Sequence, residues 1–363
     1  MAGEPTRRKG NQPSSSNSRE EESTTIADGK DDTIHAAVLM ETEGSSGNTS
    51  TAQPRPILIS GKEDIGSVTF LVDGKDIVSG GASKKIRRWR VEDGKEVGIP
   101  MDVGSNLYNV AVSRDGKWIV NGTSSGLVQV WNAENHSKLT EFKGHTDHVR
   151  IVDISPDGTR IATGSNDKTV CVWSFSTGRR LLGPFPHEHK VAVAKFSPDG
   201  RLIATAAWNR KSLRIYDSHD DGRLLAEFPE IAFYSAFNNC LAWTGDGSQL
   251  FALSGDGNIH RLDALSGTTL SKWSIHGNNA SCVSLISNGR FIAAAAGRSV
   301  TFWDTITQTQ VGSVIEDIDD IWSMAISSKY DLVTSTRKSI SIRSLSDMHL
   351  SSSLKDIVRT PMT

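Results

Sequence analysis

Six turns of the form Asp-Gly or Asn-Gly recur along this chain at a nearly constant step. They are Asp73-Gly74, Asp115-Gly116, Asp157-Gly158, Asp199-Gly200, Asp246-Gly247 and Asn288-Gly289, and the steps between them are 42, 42, 42, 47 and 42 residues. An eroded seventh unit follows in AISSKYDLV at 325–333. A short alternating segment precedes each turn, as in NVAV, IVDI and CLAW, and a second follows it, as in WIVNG, RIATG and LFALS. A third alternating segment comes next: KIRRWR, LVQVW, TVCVW, SLRIYD, NIHRLD, SVTFWD and SISIRS. Asp-Gly between two alternating apolar segments signals a β-hairpin. The alternation has a period of two and not 3.6, which argues for strands throughout.

A repeat of this length holds four short strands and points to a propeller, whose units bury their apolar faces by stacking on one another. The expected fold is all-β, a seven-bladed β-propeller over residues 55–346. Residues 1–54 are rich in Ser, Thr, Gly, Glu and Asp and are expected to form a disordered low-complexity tail. One apolar exception, TIHAAVLM at 33–40, is long enough for a short docking element. Residues 347–363 form a C-terminal tail. The segment at 57–60 reads as an orphan strand, and 321–344 supply only three strands. The two are expected to combine, with 57–60 as the outermost strand of the last blade, which would protect an open edge.

The stretch GHTDHVRIVDISPDGTRIATGSNDKTVCVW at 144–173 is dense in reactive groups. Alone, it could offer a hydrolytic triad or a metal site. As one unit of seven it reads differently. The chain resembles WD40-repeat proteins in Gly144-His145, in the SPDG turn, in GSNDKTVCVW, and in the strand-ending aromatics Trp89, Trp131, Trp173, Tyr216 and Trp303. Trp-Asp itself occurs at Trp303-Asp304, with Tyr216-Asp217 a near match. The resemblance covers roughly four fifths of the chain. It implies a fastening network of His, Ser or Thr, Asp and Trp, whose roles fall here on His145, Thr163, Asp167 and Trp173. Buried imidazole, hydroxyl, indole and carboxylate groups can satisfy one another in such a chain. These four residues are therefore expected to be structural. No catalytic residue, metal ligand or cofactor is expected. The other units keep only parts of the pattern, such as Ser79 with Trp89, or His187 with Thr205.

Other chemistry is missing from the sequence. It contains no GxxxxGK[ST] phosphate loop and no HExxH pair. A net charge of −2 gives no global field to recruit nucleic acid. No apolar run reaches 18 residues, so no membrane span is expected. The first thirty residues lack a secretory core segment, and Cys171, Cys240 and Cys282 are widely spaced. An intracellular location with reduced thiols is expected, in cytoplasm or nucleus.

A propeller presents loops on a rigid frame, so the expected function is a non-catalytic protein-interaction scaffold. The face carrying the loops into each unit is expected to bind, through Asp64, Tyr108, His148, Arg150, Trp208, Arg210, Phe233, Asp320 and Trp322. Asp317, Asp319 and Asp320 beside Trp322, together with Asp64, suggest an acidic rim suited to a basic peptide. The channel mouth is expected to read Gly66, Tyr108, Arg150, Ala192, Asn239, Cys282 and Trp322, with no acid–base pair. One alternative is a propeller enzyme or small-ligand binder acting at that mouth. Another is a ubiquitin-ligase substrate receptor, although the slots for its Trp-Asp-x-Arg motif read WRVE, WNAE, WSFS, YDSH and WDTI, all without the Arg.

Overall fold

The computed structural model describes residues 36–37, 56–61, 63–208, 213–233, 240–275, 280–286 and 289–346, and these form seven antiparallel sheets with no helix. Each sheet is one blade. Blade 3 shows the plan: Val149–Ile154 is innermost, followed outward by Arg160–Ser165, Thr169–Ser174 and Arg180–Pro186. The innermost strands of the other blades start at Ile65, Leu107, Val191, Leu241, Ala280 and Ser323. Blade 7 draws on both ends of the chain. Ser323–Ile326, Asp331–Ser335 and Ser339–Ser344 are joined by Ile57–Ser60, which pairs antiparallel with Ser339–Ile342. A further two-residue strand, Ala36–Ala37, pairs outside Ile57–Ser60. The 57–60 strand is thus not the outermost. The rest of the 1–54 tail and the 347–363 tail lie outside the described residues.

The turns follow their sequence chemistry. Gly74, Gly116, Gly158, Gly200, Gly247 and Gly289 all have positive φ, between 63° and 82°. Glycine meets no steric penalty there. In the eroded seventh unit Tyr330 takes the same place at φ 64°, with its ring buried in the core. In the blade 3 turn, Ser155 donates to Asp157, whose Oδ1 accepts from Thr159 N at 3.0 Å. Asp157 is a turn residue in the densely polar stretch, not a reactive one.

The apolar faces meet between blades. Val120, Val128 and Val130 of blade 2 pack on Val149, Val152 and Trp173 of blade 3, and every other junction has an equivalent cluster. Strands in the middle of a blade are covered on both sides, which is why Leu202–Ala207 and Phe291–Ala296 are buried along their length. Outer strands alternate or are exposed, as in Lys138–Lys143.

A second set of links runs around the central channel. Ser323 Oγ accepts from Val68 N at 3.3 Å, and Ser67 Oγ from Val110 N at 3.3 Å. Asn109 Oδ1 accepts from Val152 N at 3.1 Å, and Asp153 Oδ2 from Phe196 N at 2.8 Å. Lys195 Nζ then donates to Leu241 O at 3.1 Å. From blade 7 through to blade 5, one side chain on each innermost strand therefore satisfies the backbone of the next. These bonds fill valences that a strand facing a channel would otherwise leave open.

Candidate functional site

The strand order sends the Asp-Gly turns to one face of the disc. The loops entering each innermost strand open on the other, the mouth face. His145 lies near the start of such a loop, two residues after the strand Lys138–Lys143. Its Nδ1 is 2.9 Å from Asp167 Oδ2 and its Nε2 is 2.6 Å from Thr163 Oγ1, while Trp173 Nε1 donates to Thr163 Oγ1 at 2.8 Å. One proton arrangement satisfies all four groups: indole N–H to hydroxyl oxygen, hydroxyl O–H to Nε2, and Nδ1–H to carboxylate. Asp167 also accepts from Thr146 N and from the Thr169 hydroxyl. Burial pushes the Asp167 carboxyl up, but the bonds from His145 and Thr169 outweigh it and hold the group well below the usual range. Among the described residues, no group of three His, Cys, Asp or Glu side chains is placed to hold a metal. All three cysteines are buried, and burial pushes the Cys171 thiol to about 11 and that of Cys240 to about 12.

The channel mouth is built from β-bulges. The pairing register breaks at Gly66, Tyr108, Arg150 and Ala192, the second residue of four successive innermost strands. A bulge adds one unpaired residue and re-aims its side chain. Arg150 occupies the centre of the resulting cluster. Its guanidinium carbon lies 4.2 Å from the centroid of Tyr108 and 5.1 Å from that of Trp208. Arg150 Nε donates to Asn166 Oδ1 at 3.0 Å. Tyr108 stacks on His148 with centroids 5.6 Å apart, and its hydroxyl is 3.1 Å from His148 Nδ1. Lys190 Nζ sits 5.7 Å from the Trp208 ring. Burial lowers the pKa of Arg150 from the ordinary guanidinium value, and nearby Tyr108 and Asp147 partly oppose this.

Similarity to known proteins agrees with this geometry. Residues 136–174 and 180–217 match the family described as WD40, the WD domain or G-beta repeat. A crystal structure of the WD40 beta propeller domain of Doa1 superposes with a TM-score of 0.69 at 20% identity, covering 82% of this chain and all of that one. The chain is a seven-bladed β-propeller that carries WD40 repeats at 136–174 and 180–217. No curated protein matches it significantly. WD40 propellers commonly mediate protein interactions, and no helix among the described residues is long and apolar enough to cross a membrane.

Within the WD40 pattern the fastening varies from blade to blade. Trp89 donates to Ser79 at 2.8 Å in blade 1, and Trp131 to Asn121 Oδ1 at 2.8 Å in blade 2. In blade 4 His187 reaches Thr205 at 3.1 Å, and burial followed by nearby Arg214 pushes its imidazole down to about 4. In blade 6 Ala294 stands where blade 3 has Thr163, and Trp303 turns instead to Thr301 at 2.9 Å. Blade 7 has an ionic version. Asp317, Thr334 and Arg343 occupy the positions of His145, Thr163 and Trp173 by register. Asp317 accepts from Thr334 and from Ser341, and Arg343 Nη1 is 3.3 Å from its carboxylate.

This placement corrects several expectations. Asp317 is 4% exposed and belongs to the blade 7 fastening, not to an acidic rim. Asp64 is paired with Arg337 at 3.1 Å, so its charge is already partly neutralised. Phe233 is 3% exposed and packs in the core of blades 4 to 6, because an aromatic in this loop can reach the inter-blade cluster. Cys282 is fully buried, since the bulge in blade 6 falls one residue earlier, at Ser281. Arg210 and Asn239 lie outside the described residues. Trp322 is half-buried ahead of the blade 7 inner strand, with Asp319 and Asp320 exposed beside it. The structure brings together Tyr108, His148, Arg150 and Trp208, while Asp320 and Trp322 stand on blade 7, separated from Tyr108 by blade 1.

Sequence reasoning missed four participants. Asn166, inside the GSNDKTVCVW motif, and Lys190, outside any repeated motif, hold the mouth cluster. An acid and a base also meet the channel lumen below the mouth, where Asp153 and Lys195 line a cavity of about 180 Å³. Burial pushes the Asp153 carboxyl up to about 6, opposed by Lys195, and burial lowers the Lys195 amine. Both are half-open to the narrow lumen yet surrounded by protein. The signal was available: they stand 42 residues apart, one repeat step, so the periodicity puts them at the same level on adjacent blades.

Proposed function

We propose that this WD40 propeller is a non-catalytic protein-interaction platform that binds through its mouth face. The observation that supports this best is the cluster of Tyr108, His148, Arg150 and Trp208. Aromatics and Arg anchor interfaces because they bury large areas with few rotatable bonds. Here they are already stacked and held in place, so little side-chain entropy would be lost on binding. The lumenal Asp153 and Lys195 have perturbed pKa values, but both spend polar atoms on the backbone of the next blade. A second contact is favoured by the exposed Asp319 and Asp320 flanking half-buried Trp322, which suit a basic residue of the partner.

Affinity purification followed by mass spectrometry tests this reading. The wild type would be compared with Trp322→Ala combined with Asp320→Lys, with Trp208→Ala, and with Arg114→Glu on the opposite face. Variants with unchanged melting temperature enter the comparison. Loss of the same protein set from the mouth-face variants, with the set retained by Arg114→Glu, is the expected result. Retention by all the mouth-face variants would move the interaction to the rim or the turn face.

A further inference from the structure

We propose that Arg150 is a preformed clamp for an oxyanion, and that the segment captured at the mouth presents an acidic side chain to it. This rests on the mouth-face reading above and names the chemistry of the partner. Three observations lead to it. First, the guanidinium is immobilised on three sides: Tyr108 covers it at 4.2 Å, Trp208 lies at 5.1 Å, and Asn166 takes its Nε. Asn166 is itself buried, and its backbone N–H donates to His148 O at 2.9 Å, so the acceptor is rigid. Second, among the described residues no carboxylate pairs with it, although Asp147 acts on it through space. Arg150 has no ion pair among the described residues, and its one hydrogen bond there goes to a neutral amide oxygen. Its terminal nitrogens Nη1 and Nη2 have no partner among those residues. Third, the site is already partly desolvated, which burial signals by lowering the Arg150 pKa.

A half-buried charge fixed between rings and joined only to an amide does little for folding. Stability alone would be served as well by an apolar residue at this bulge, and blade 4 has Ala192 there. The same arrangement suits recognition. The planar fork matches a carboxylate or a phosphate in a bidentate fashion, and the ordering cost has been met by the fold. Charge-assisted bonds also gain strength where water is thin. Lys190 beside Trp208 and His148 beside Tyr108 add positive or polarisable groups on either flank, against Asp147 and Glu188 on the exposed loops. An oxyanion offered on a peptide would meet the fork edge-on, with its neighbours lying over Tyr108 and Trp208.

The test uses the full chain and five immobilised peptide libraries, each randomised around a fixed central Glu, Asp, phosphoserine, Ser or Lys. The wild type should retain the Glu, Asp or phosphoserine pools over the Ser and Lys pools. Arg150→Gln should reduce that preference about tenfold or more, as expected for losing a bidentate charged contact. Arg150→Lys, which keeps the charge without the fork, should recover only part of it. The Glu and phosphoserine pools separate a carboxylate ligand from a phosphate. Matching melting temperatures guard against misfolding, and Trp208 fluorescence gives a second readout of occupancy. Equal retention of Ser or Lys pools, or undiminished binding by a folded Arg150→Gln protein, overturns the proposal. If those pools still lose binding with Trp322→Ala, the mouth-face reading survives while the oxyanion clamp falls. If no pool binds the wild type, the clamp is overturned for peptides, and the protein set retained in the purification then judges the mouth-face reading separately.

Discussion

Replacing Asp167 by Ala tests the fastening network at its most exposed link. The carboxylate accepts four bonds: from His145 Nδ1 at 2.9 Å, Thr146 N at 3.1 Å, Thr169 N at 3.0 Å and the Thr169 hydroxyl at 2.6 Å. Thr146 is exposed, so water replaces the carboxylate there. The His145 side chain is 1% exposed and has one alternative, the Thr169 hydroxyl at 3.2 Å. The substitution therefore strands roughly one buried donor, partly re-satisfied, which costs about 1–3 kcal/mol. For a domain of this size that corresponds to a fall of roughly 2–8 °C in melting temperature. Asp167→Asn keeps an acceptor for His145 and should cost less. The pH dependence has a definite sign. The folded carboxyl is held below its unfolded value, so its contribution is present above about pH 4 and is lost as pH falls below that. Calorimetry at pH 7 and urea titrations down to pH 3.5 should show the gap between wild type and Asp167→Ala closing with acidity. A melting temperature unmoved at pH 7 would refute the structural role, because a catalytic or metal-binding Asp can be removed without loss of stability.

Three other outcomes follow from the same geometry. Asp317→Ala leaves the half-buried Arg343 without its carboxylate and should cost about 3–5 kcal/mol, more than Asp167→Ala, when both are measured by urea unfolding. Asp153→Asn keeps an acceptor for Phe196 N while removing a carboxyl whose folded pKa, about 6, exceeds its unfolded value. Stability from that group is full below about pH 4 and falls by roughly 2–3 kcal/mol as pH rises through 6, so the mutant should gain on the wild type across that window. A stability difference that does not change with pH refutes this. Deleting residues 1–52 should leave the melting temperature nearly unchanged. Deleting 1–62 removes the strand at 57–60 and withdraws Ile59, 1% exposed, from the blade 7 to blade 1 core, at about 2–5 kcal/mol for that side chain alone. Equal melts for the two truncations would show that the strand is dispensable.

Much of the fold was legible because the repeat is a local signal written seven times. Alternation, Asp-Gly turns and strand-ending aromatics each act within a few residues, and a period near 42 multiplies their weight. His145, Thr163, Asp167 and Trp173 were legible for the same reason, since each occupies a fixed place in the unit. The mouth-face cluster was legible only in part. Tyr108, Arg150 and Trp208 stood out as aromatic and Arg residues at loop or strand starts, but so did Phe233, and nothing local distinguished a ring that reaches the core from one that stays at the mouth.

The sequence by itself thus determined the strand plan of the repeat unit, the turn positions, the stacking of like units and the places of His145, Thr163, Asp167 and Trp173 in the third unit. Burial, charge pairing and the exact bulge position belong to the tertiary structure, because they depend on side chains contributed by neighbouring blades. Asp317 reads as one acid in the run EDIDD until Thr334, Ser341 and Arg343 surround it. Asp64 reads as a free carboxylate until Arg337, 273 residues away, closes on it. Arg150 becomes a fixed fork only when Tyr108 from blade 2, Asn166 from its own blade and Trp208 from blade 4 hold it. Repeat periodicity sets which residues share a level around the ring, whereas the electrostatic state of each residue follows from what the adjacent blade places against it.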